Sequence, residues 1–232
     1  MGVTRIAETL GREKSQVSRT LKILAQYGLV DRDPDTLAYR LGWRIFALAD
    51  LAGERRLLDR ARPILVRLVA DLAERAHLSV LVAAETLTIL SESPPQSLQA
   101  VGRVGRGVPA YCTSVGRALM LDHSRAELEL AFRDVTFQRL AANTARSIAE
   151  IERRIDQARQ AGYAVADEEM EPGLVAIAAP VRDAYGRIVA AINVSGPKFR
   201  MADRIEQTGR TVVAAAAELS AALGPEQAPT RE

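Results

Sequence analysis

The stretch Gly11–Val30 reads G-R-E-K-S-Q-V-S-R-T-L-K-I-L-A-Q-Y-G-L-V, and its two faces decide how the first part of the chain folds. Val17, Leu21, Leu24 and Ala25 stand at i, i+4, i+7 and i+8, on one side of a helix running from about Lys14 to Tyr27. Ser15, Gln16, Ser18, Arg19, Thr20 and Lys22 carry the polar character of the other side, and Gly28 ends the helix. Upstream, Val3 to Leu10 suits a shorter helix with Ile6, Ala7 and Leu10 inward, stopped by Gly11 in a left-handed conformation. Downstream, Leu29-Val30, then Asp33-Pro34-Asp35-Thr36, then Leu37 to Leu41 read as strand, turn and strand, because Asp-Pro-Asp is strong turn chemistry. Helix, glycine turn, helix and hairpin in that order make a winged helix-turn-helix over residues 1–43. Ala7, Gly11 and Val17 supply the small, the positive-φ and the buried residue that a close crossing of the two helices needs.

An isolated polar helix face is most often simply solvated. Here the order of elements and the charge weigh against that. Residues 1–44 hold eight basic residues against five acidic ones, a balance of +3, while the remaining 23 basic and 24 acidic residues stand at −1. A basic head on a neutral body points to a polyanion. Gln16 and Arg19 can each make two hydrogen bonds to a base edge in the major groove, whereas Ser15, Ser18, Thr20 and Lys22 suit phosphates. The first turn of the helix also offers free N–H groups to a phosphate. Arg32, Tyr39 and Arg40 on the hairpin are placed to reach the DNA backbone or minor groove. The expected partner is double-stranded DNA.

Beyond the head, residues 44–62 are expected to form a linker helix, with Ile45, Leu48, Leu51, Leu57 and Leu58 at helical spacing. Pro63 is expected to interrupt it and start a new helix. Residues 63–224 make the second domain. The run H-L-S-V-L-V-A-A-E-T-L-T-I-L-S-E at 77–92 reads as two strands joined at Ala84-Glu85. Helices are expected from about Ser114 to Leu121, after Ser124, and from the capping box of Ser147 and Glu150 to Gly162. Strand-like runs follow at about 163–166, 174–181 and 187–194, the last two joined by a hairpin at Asp183-Ala184-Tyr185-Gly186. An amphipathic helix at about 203–222 precedes a tail, 225–232, expected to be disordered. The fold class is α+β.

Several chemistries are excluded at this level. One cysteine, Cys112, forbids an intramolecular disulfide and a Cys-cluster zinc site. Two histidines, His77 and His123, lie far apart, so no nucleophile–base–orienter set can be assembled. No catalytic residue, metal or cofactor is expected. Without a signal peptide or an apolar run of 18 or more residues, a cytoplasmic chain with no membrane partner is the simple reading. Gly102-Arg103-Val104-Gly105-Arg106-Gly107 lacks the Lys-Ser/Thr of a phosphate loop and runs into Val108-Pro109, which makes it a lid or an entrance. Glu168, Glu169 and Glu171 read as an exposed loop, or one supporting a pocket from outside, rather than as metal ligands.

The blocks I-A-E-T-L-G-R-E-K-S-Q-V-S-R-T-L-K-I-L-A-Q-Y-G-L-V and D-R-D-P-D-T-L-A-Y-R-L-G resemble the IclR family of bacterial transcriptional regulators. So do V-G-R-G-V-P-A-Y-C-T-S-V-G-R-A-L-M, G-Y-A-V-A-D-E-E-M-E-P-G-L-V-A-I-A-A-P-V and G-R-I-V-A-A-I-N-V-S-G-P. Each block is modest alone; correctly ordered over about residues 3–223, together they are specific. The resemblance implies a winged helix-turn-helix, a linker helix, and a GAF-like (profilin-like) antiparallel sheet flanked by helices that binds a small organic acid. It also implies a homodimer or homotetramer on a palindromic operator. Family positions lining the effector pocket fall on Ser114, Val115, Ala166, Ala176, Asn193 and Ser195, with Tyr111, Cys112 and Asp167 beside them, and a buried structural role is favoured for Cys112. Helix-terminal N–H groups at Ser114, with the hydroxyls of Ser114 and Ser195, suit a carboxylate.

Two departures stand out. The family's acidic pair before the two glutamates is here Ala166-Asp167, so the first acid is missing. Family members also carry another helix before I-A-E-T-L-G, whereas this sequence opens just ahead of that block. The expectation is a true start upstream of Met1; the alternative is an incomplete head with Ile6, Leu21 and Leu24 partly uncovered, at about 1.5–3 kcal/mol for each fully exposed side chain. The expected function is a DNA-binding regulator controlled by an organic acid. The alternative is a small-molecule sensor with a vestigial DNA-binding head that acts through a protein partner.

Overall fold

The computed structural model describes residues 1–51, 54–95 and 104–224, which divide into two compact units, a head of Met1–Leu57 and a body from Leu58 onward. Gly102, Arg103 and the tail 225–232 lie outside the described residues.

The head is a winged helix-turn-helix. Helices α1 (Val3–Leu10) and α2 (Lys14–Gln26) precede the two-stranded wing of β1 (Val30–Arg32) and β2 (Tyr39–Leu41). Gly11 sits at φ 59°, ψ 34°, where a Cβ would be strained, and lets the chain reverse within three residues. Ala7, Val17, Leu21 and Tyr39 form the core, with Val3, Ile6, Leu24 and Val30 packed against it. Leu21 is therefore buried, with Ala7 and Tyr39 packed over it, whereas Ile6 and Leu24 are partly uncovered. At the wing tip the Asp33 carboxylate accepts hydrogen bonds from Asp35 N, Thr36 N and the Thr36 hydroxyl, at 3.1, 2.8 and 2.8 Å. These bonds, the Thr36 backbone N–H first, hold its carboxyl below the usual carboxylate range.

After the wing come α3 (Arg44–Leu51) and α4 (Glu54–Leu72). Pro63 lies inside α4 and starts no new helix. An interior proline removes one helical hydrogen bond, a cost of roughly 3 kcal/mol in total. Pro63 is on the exposed side, where water can satisfy the freed carbonyl, while Ala61, Ile64, Leu65, Leu68, Val69 and Leu72 are buried on the other. Their burial, at about 1.5–3 kcal/mol for each large side chain, outweighs the lost bond.

The body is built on a six-stranded, fully antiparallel sheet in the order β5-β4-β3-β8-β7-β6. Its strands are β3 (Arg75–Val82), β4 (Glu85–Glu92), β5 (Gly107–Pro109), β6 (Ala164–Asp167), β7 (Leu174–Arg182) and β8 (Ile188–Pro197). On one face lie α5 (Ser114–Leu119), α6 (Arg125–Ala131) and α7 (Ile148–Ala161), where Val115, Ala118 and Leu119 pack on Ala178 and Ala191. The opposite face turns Ile177, Ile192 and Val194, all fully buried, toward α9 (Ile205–Ala222), which follows the short α8 (Lys198–Met201). An Arg67–Glu218 ion pair at 2.5 Å ties α4 alongside α9. No helix among the described residues is long and apolar enough to cross a membrane.

Candidate functional site

The head offers one built surface. Burying Val17 and Leu21 turns the opposite side of α2 outward, so Ser15, Gln16, Arg19, Thr20 and Lys22 are exposed, while Ser18 is half-buried on the flank. Arg19 donates from Nε to the Ser15 carbonyl at 3.4 Å, and the Thr20 hydroxyl donates to the Gln16 carbonyl at 3.1 Å. Both bonds are local. Among the described residues no carboxylate pairs with Arg19 or Lys22, so both cations remain available. Ile23, one turn beyond Arg19 and 54% exposed, adds an apolar contact to this face; its helical spacing from Arg19 marks it in the sequence, but its apolar character hides it.

The wing corrects one expectation. Tyr39 is not a surface contact: it is 7% exposed and packs against Ala7, Val17 and Leu21. Strand alternation sends Tyr39 inward and Arg40 outward. Arg40 pairs across the hairpin with Asp31 at 3.7 Å, and the Arg32 guanidinium lies 5.7 Å from the Tyr39 ring centroid. Tyr39→Phe should accordingly leave DNA affinity within about two-fold of the parent by fluorescence anisotropy, well below the loss of a hydrogen bond to a charged group. A ten-fold loss would return Tyr39 to the surface role.

The body contains a cavity of about 60 Å³ between the sheet and α5. Its floor comes from alternate strand residues: His77 and Ser79 of β3, Thr86 and Thr88 of β4, Ala166 of β6, Ala176 of β7, and Asn193 and Ser195 of β8. The register sets Ala166 beside Ala176 and Ala176 beside Ser195, with His77 opposite Asn193. Alanines at 166 and 176 keep the floor low, which leaves the space open. Cys112, Thr113, Ser114 and Val115 form the roof; Val108, Glu169, Met170 and Leu174 close the sides.

The roof is held by close packing. A Cβ on Gly116 would sit 2.0 Å from the Ala110 carbonyl oxygen, so only glycine permits this approach of α5 to the turn before it. Thr113 caps the helix by accepting from Gly116 N at 3.0 Å. Ser114, 1% exposed, has a hydroxyl with no hydrogen-bond partner. Leaving such a group unsatisfied costs about 1–3 kcal/mol, which a polar ligand would recover. Elsewhere in the lining, Ser195 Oγ lies 3.4 Å from His77 Nε2, and Ser79 donates to Thr88 Oγ1 at 3.3 Å. Cys112 contacts the Pro109 carbonyl at 3.4 Å; burial first, then the Glu169 carboxylate, pushes its thiol up to about 12, so it stays protonated and unreactive at neutral pH.

Of the residues anticipated for this pocket, Cys112, Ser114, Val115, Ala166, Ala176, Asn193 and Ser195 line the cavity together. Tyr111 and Asp167 do not. The Tyr111 hydroxyl donates to the Gln138 carbonyl and accepts from Gln138 N, both at 3.1 Å, with its ring edge-on to Phe137 in the core. Asp167 follows Ala166 along β6 and therefore faces the other side, paired with Lys198 at 2.9 Å. His77, Ser79, Thr86 and Thr88 were missed, although the sequence carries a sign of them. H-x-S and T-x-T at period two, interleaved with Leu and Val, place polar side chains on one face of otherwise apolar strands.

Glu169 departs from the exposed-loop alternative, and it supports the pocket from its own wall rather than from outside. It is 5% exposed, lines the cavity, and receives Nη1 and Nη2 of Arg117, itself 1% exposed, at 2.8 Å each. Arg154 also donates to Glu169, and Arg117 donates to the Val165 carbonyl. The Thr144 hydroxyl donates to the Glu169 carbonyl at 2.6 Å. One buried carboxylate thus joins α5, α7 and the turn after β6. Glu168 takes Lys198 instead, at 2.6 Å, and Glu171 is exposed.

Residues 50–221 match the family model described as bacterial transcriptional regulator IclR C-terminal. The chain is 32% identical over 225 residues to the HTH-type transcriptional regulator BhcR of Paracoccus denitrificans, covering 96% of this chain and 81% of that protein. Among solved structures, the Thermotoga maritima IclR is 26% identical with a TM-score of 0.69, over 97% of this chain and 92% of that one. An IclR homolog from Microbacterium hydrocarbonoxydans, complexed with 4-hydroxybenzoate, shares the fold at 24% identity and a TM-score of 0.78, over 96% and 91% of the two chains. With the family model covering most of its length, this chain belongs to the IclR family of bacterial transcriptional regulators.

Proposed function

We propose that this protein is a ligand-responsive transcription factor of the cytoplasm. Its head reads double-stranded DNA at a palindromic operator as a homodimer or homotetramer, and its body takes a small organic acid whose binding changes operator affinity. The observation that carries the ligand half is the buried Ser114 hydroxyl, unpartnered at a cavity whose lining also holds the polar groups of His77, Ser79, Thr88, Asn193 and Ser195. Neutral donors in a sheltered site suit the uncharged polar groups of a small acid and leave its carboxylate to the cavity mouth. The complex of a family homolog with an aromatic hydroxy acid supports the same class. The DNA half rests on the outward Ser15, Gln16, Arg19 and Lys22, which a vestigial head acting through a protein partner would have no reason to keep unpaired.

A thermal-shift screen of the full chain against small carboxylic acids tests the ligand half. A ligand present at 100 times its Kd and binding only the native state adds about 2.7 kcal/mol. For a body of this size that is a rise of roughly 5–10 °C in Tm. A panel in which neutral polyols shift the transition and no acid does would remove the acid from this reading.

A further inference from the structure

We propose that Arg106 is the cation that meets the ligand's carboxylate at the cavity mouth, with Glu171 opposing it on the same groove. This rests on the organic-acid reading above and assigns where the acid's charge is held.

The described lining of the cavity contains no lysine or arginine; its one histidine, His77, has Nε2 3.4 Å from Ser195 Oγ, and its carboxylate, Glu169, is already held by Arg117 and Arg154, neither of which lines the space. Its volume of about 60 Å³ is room for only a few water-sized molecules. A ligand larger than that extends outward. The adjoining groove, about 260 Å³, shares Thr88, Val108 and Met170 with the cavity and adds Arg106 and Glu171.

Local structure pins Arg106 there. Gly105, at φ 81°, turns the chain and donates its N–H to the Thr88 carbonyl at 2.8 Å. Gly107 then pairs with Leu87 as β5 begins, and a Cβ at 107 would lie 2.3 Å from a Glu85 carboxylate oxygen. Arg106 is held between these two anchors, two residues before Val108, and lines the groove with it. It is exposed, and among the described residues neither its guanidinium nor the Glu171 carboxylate makes a hydrogen bond or ion pair. A guanidinium that no described residue employs, at the edge of a cavity without lysine or arginine, offers a planar fork matched to a carboxylate. Glu171 repels the same ligand, so the two side chains set acid affinity with opposite signs.

The test uses 4-hydroxybenzoate, lactate and gluconate beside their primary amides, titrated calorimetrically into the full chain. For an acid that binds, Arg106→Gln should weaken affinity about ten-fold or more, the range of a hydrogen bond to a charged group. Arg106→Lys should lose less, and Glu171→Gln should tighten binding a few-fold. Amide affinities should stay unchanged in all three variants, and unliganded Tm values should match the parent because both residues are exposed. Equal acid affinity in the parent and Arg106→Gln, or an equal loss for acid and amide, overturns the role of Arg106 while the organic-acid reading stands. Amides that bind as tightly as acids to the parent, or no acid binding at all, overturn both.

Discussion

Glu169→Ala should destabilise the body by about 3–5 kcal/mol, the usual cost of removing one partner from a buried ion pair. The reason lies with the residue left behind. Arg117 is 1% exposed, so without Glu169 a buried guanidinium retains only the Val165 carbonyl. Denaturant titration should show a lower midpoint with little change in slope, and the body's Tm should fall by on the order of 10 °C. A compensated pair separates electrostatics from shape. Arg117→Met with Glu169→Leu removes both charges at similar volume and should recover most of the loss. If the double variant is as unstable as Glu169→Ala, the pair matters through geometry that apolar side chains cannot replace. The consequence for ligand response is direct. Glu169 faces the cavity and bonds to α5, whose first residues form the roof, so the ion pair sets the distance between roof and side wall.

This cluster marks the boundary of what was legible in the sequence. The head could be read because every signal in it is local: the i, i+4 spacing of Val17 and Leu21, the left-handed Gly11, and the Asp33 turn all act within a few residues. Tyr39 escaped because a three-residue strand leaves no alternation to count, and its aromatic ring with a polar tip suits a surface as well as a core. In the body five of the six strands were legible, β5 having been read as part of a lid or entrance, but their order was not. The cavity floor depends on β3 lying beside β8, a contact between His77 and Ser195 that are 118 residues apart. Glu169 looked solvated for the same reason, since the arginines that neutralise it are 52 and 15 residues away. A run of acids is indistinguishable from a solvated loop until the fold brings its counter-charges to it. Pro63 shows the converse: a strong local signal yielded to the tertiary burial of Ala61, Ile64 and Leu65.

Arg19→Ala should reduce affinity for the selected operator about 10- to 100-fold per head and relax sequence preference at the position it contacts. Arg19 stands at the centre of the exposed side of α2, with Ser15 one turn before it and Ile23 one turn after, so it projects farthest from the core formed by Val17 and Leu21. Its local bond to the Ser15 carbonyl, 3.4 Å long, is weak enough to exchange for a base edge. Lys22→Ala, on the flank of the same face, should behave differently: affinity falls by a similar factor on every sequence, and the salt slope drops by about one. The control must be an arginine without a structural task. Arg154 cannot serve, because it braces Glu169, whereas Arg153 is exposed and is the proper reference. The measurement is selection of an operator from random duplex DNA by the full chain, followed by anisotropy titrations at several salt concentrations. If Arg19→Ala and Arg153→Ala weaken binding equally, the polar face of α2 is a solvated surface after all. If Arg19→Ala weakens all sequences alike with a shallower salt slope, Arg19 holds phosphate and the base reading passes to Gln16, which lies exposed on the adjoining stripe of the same helix.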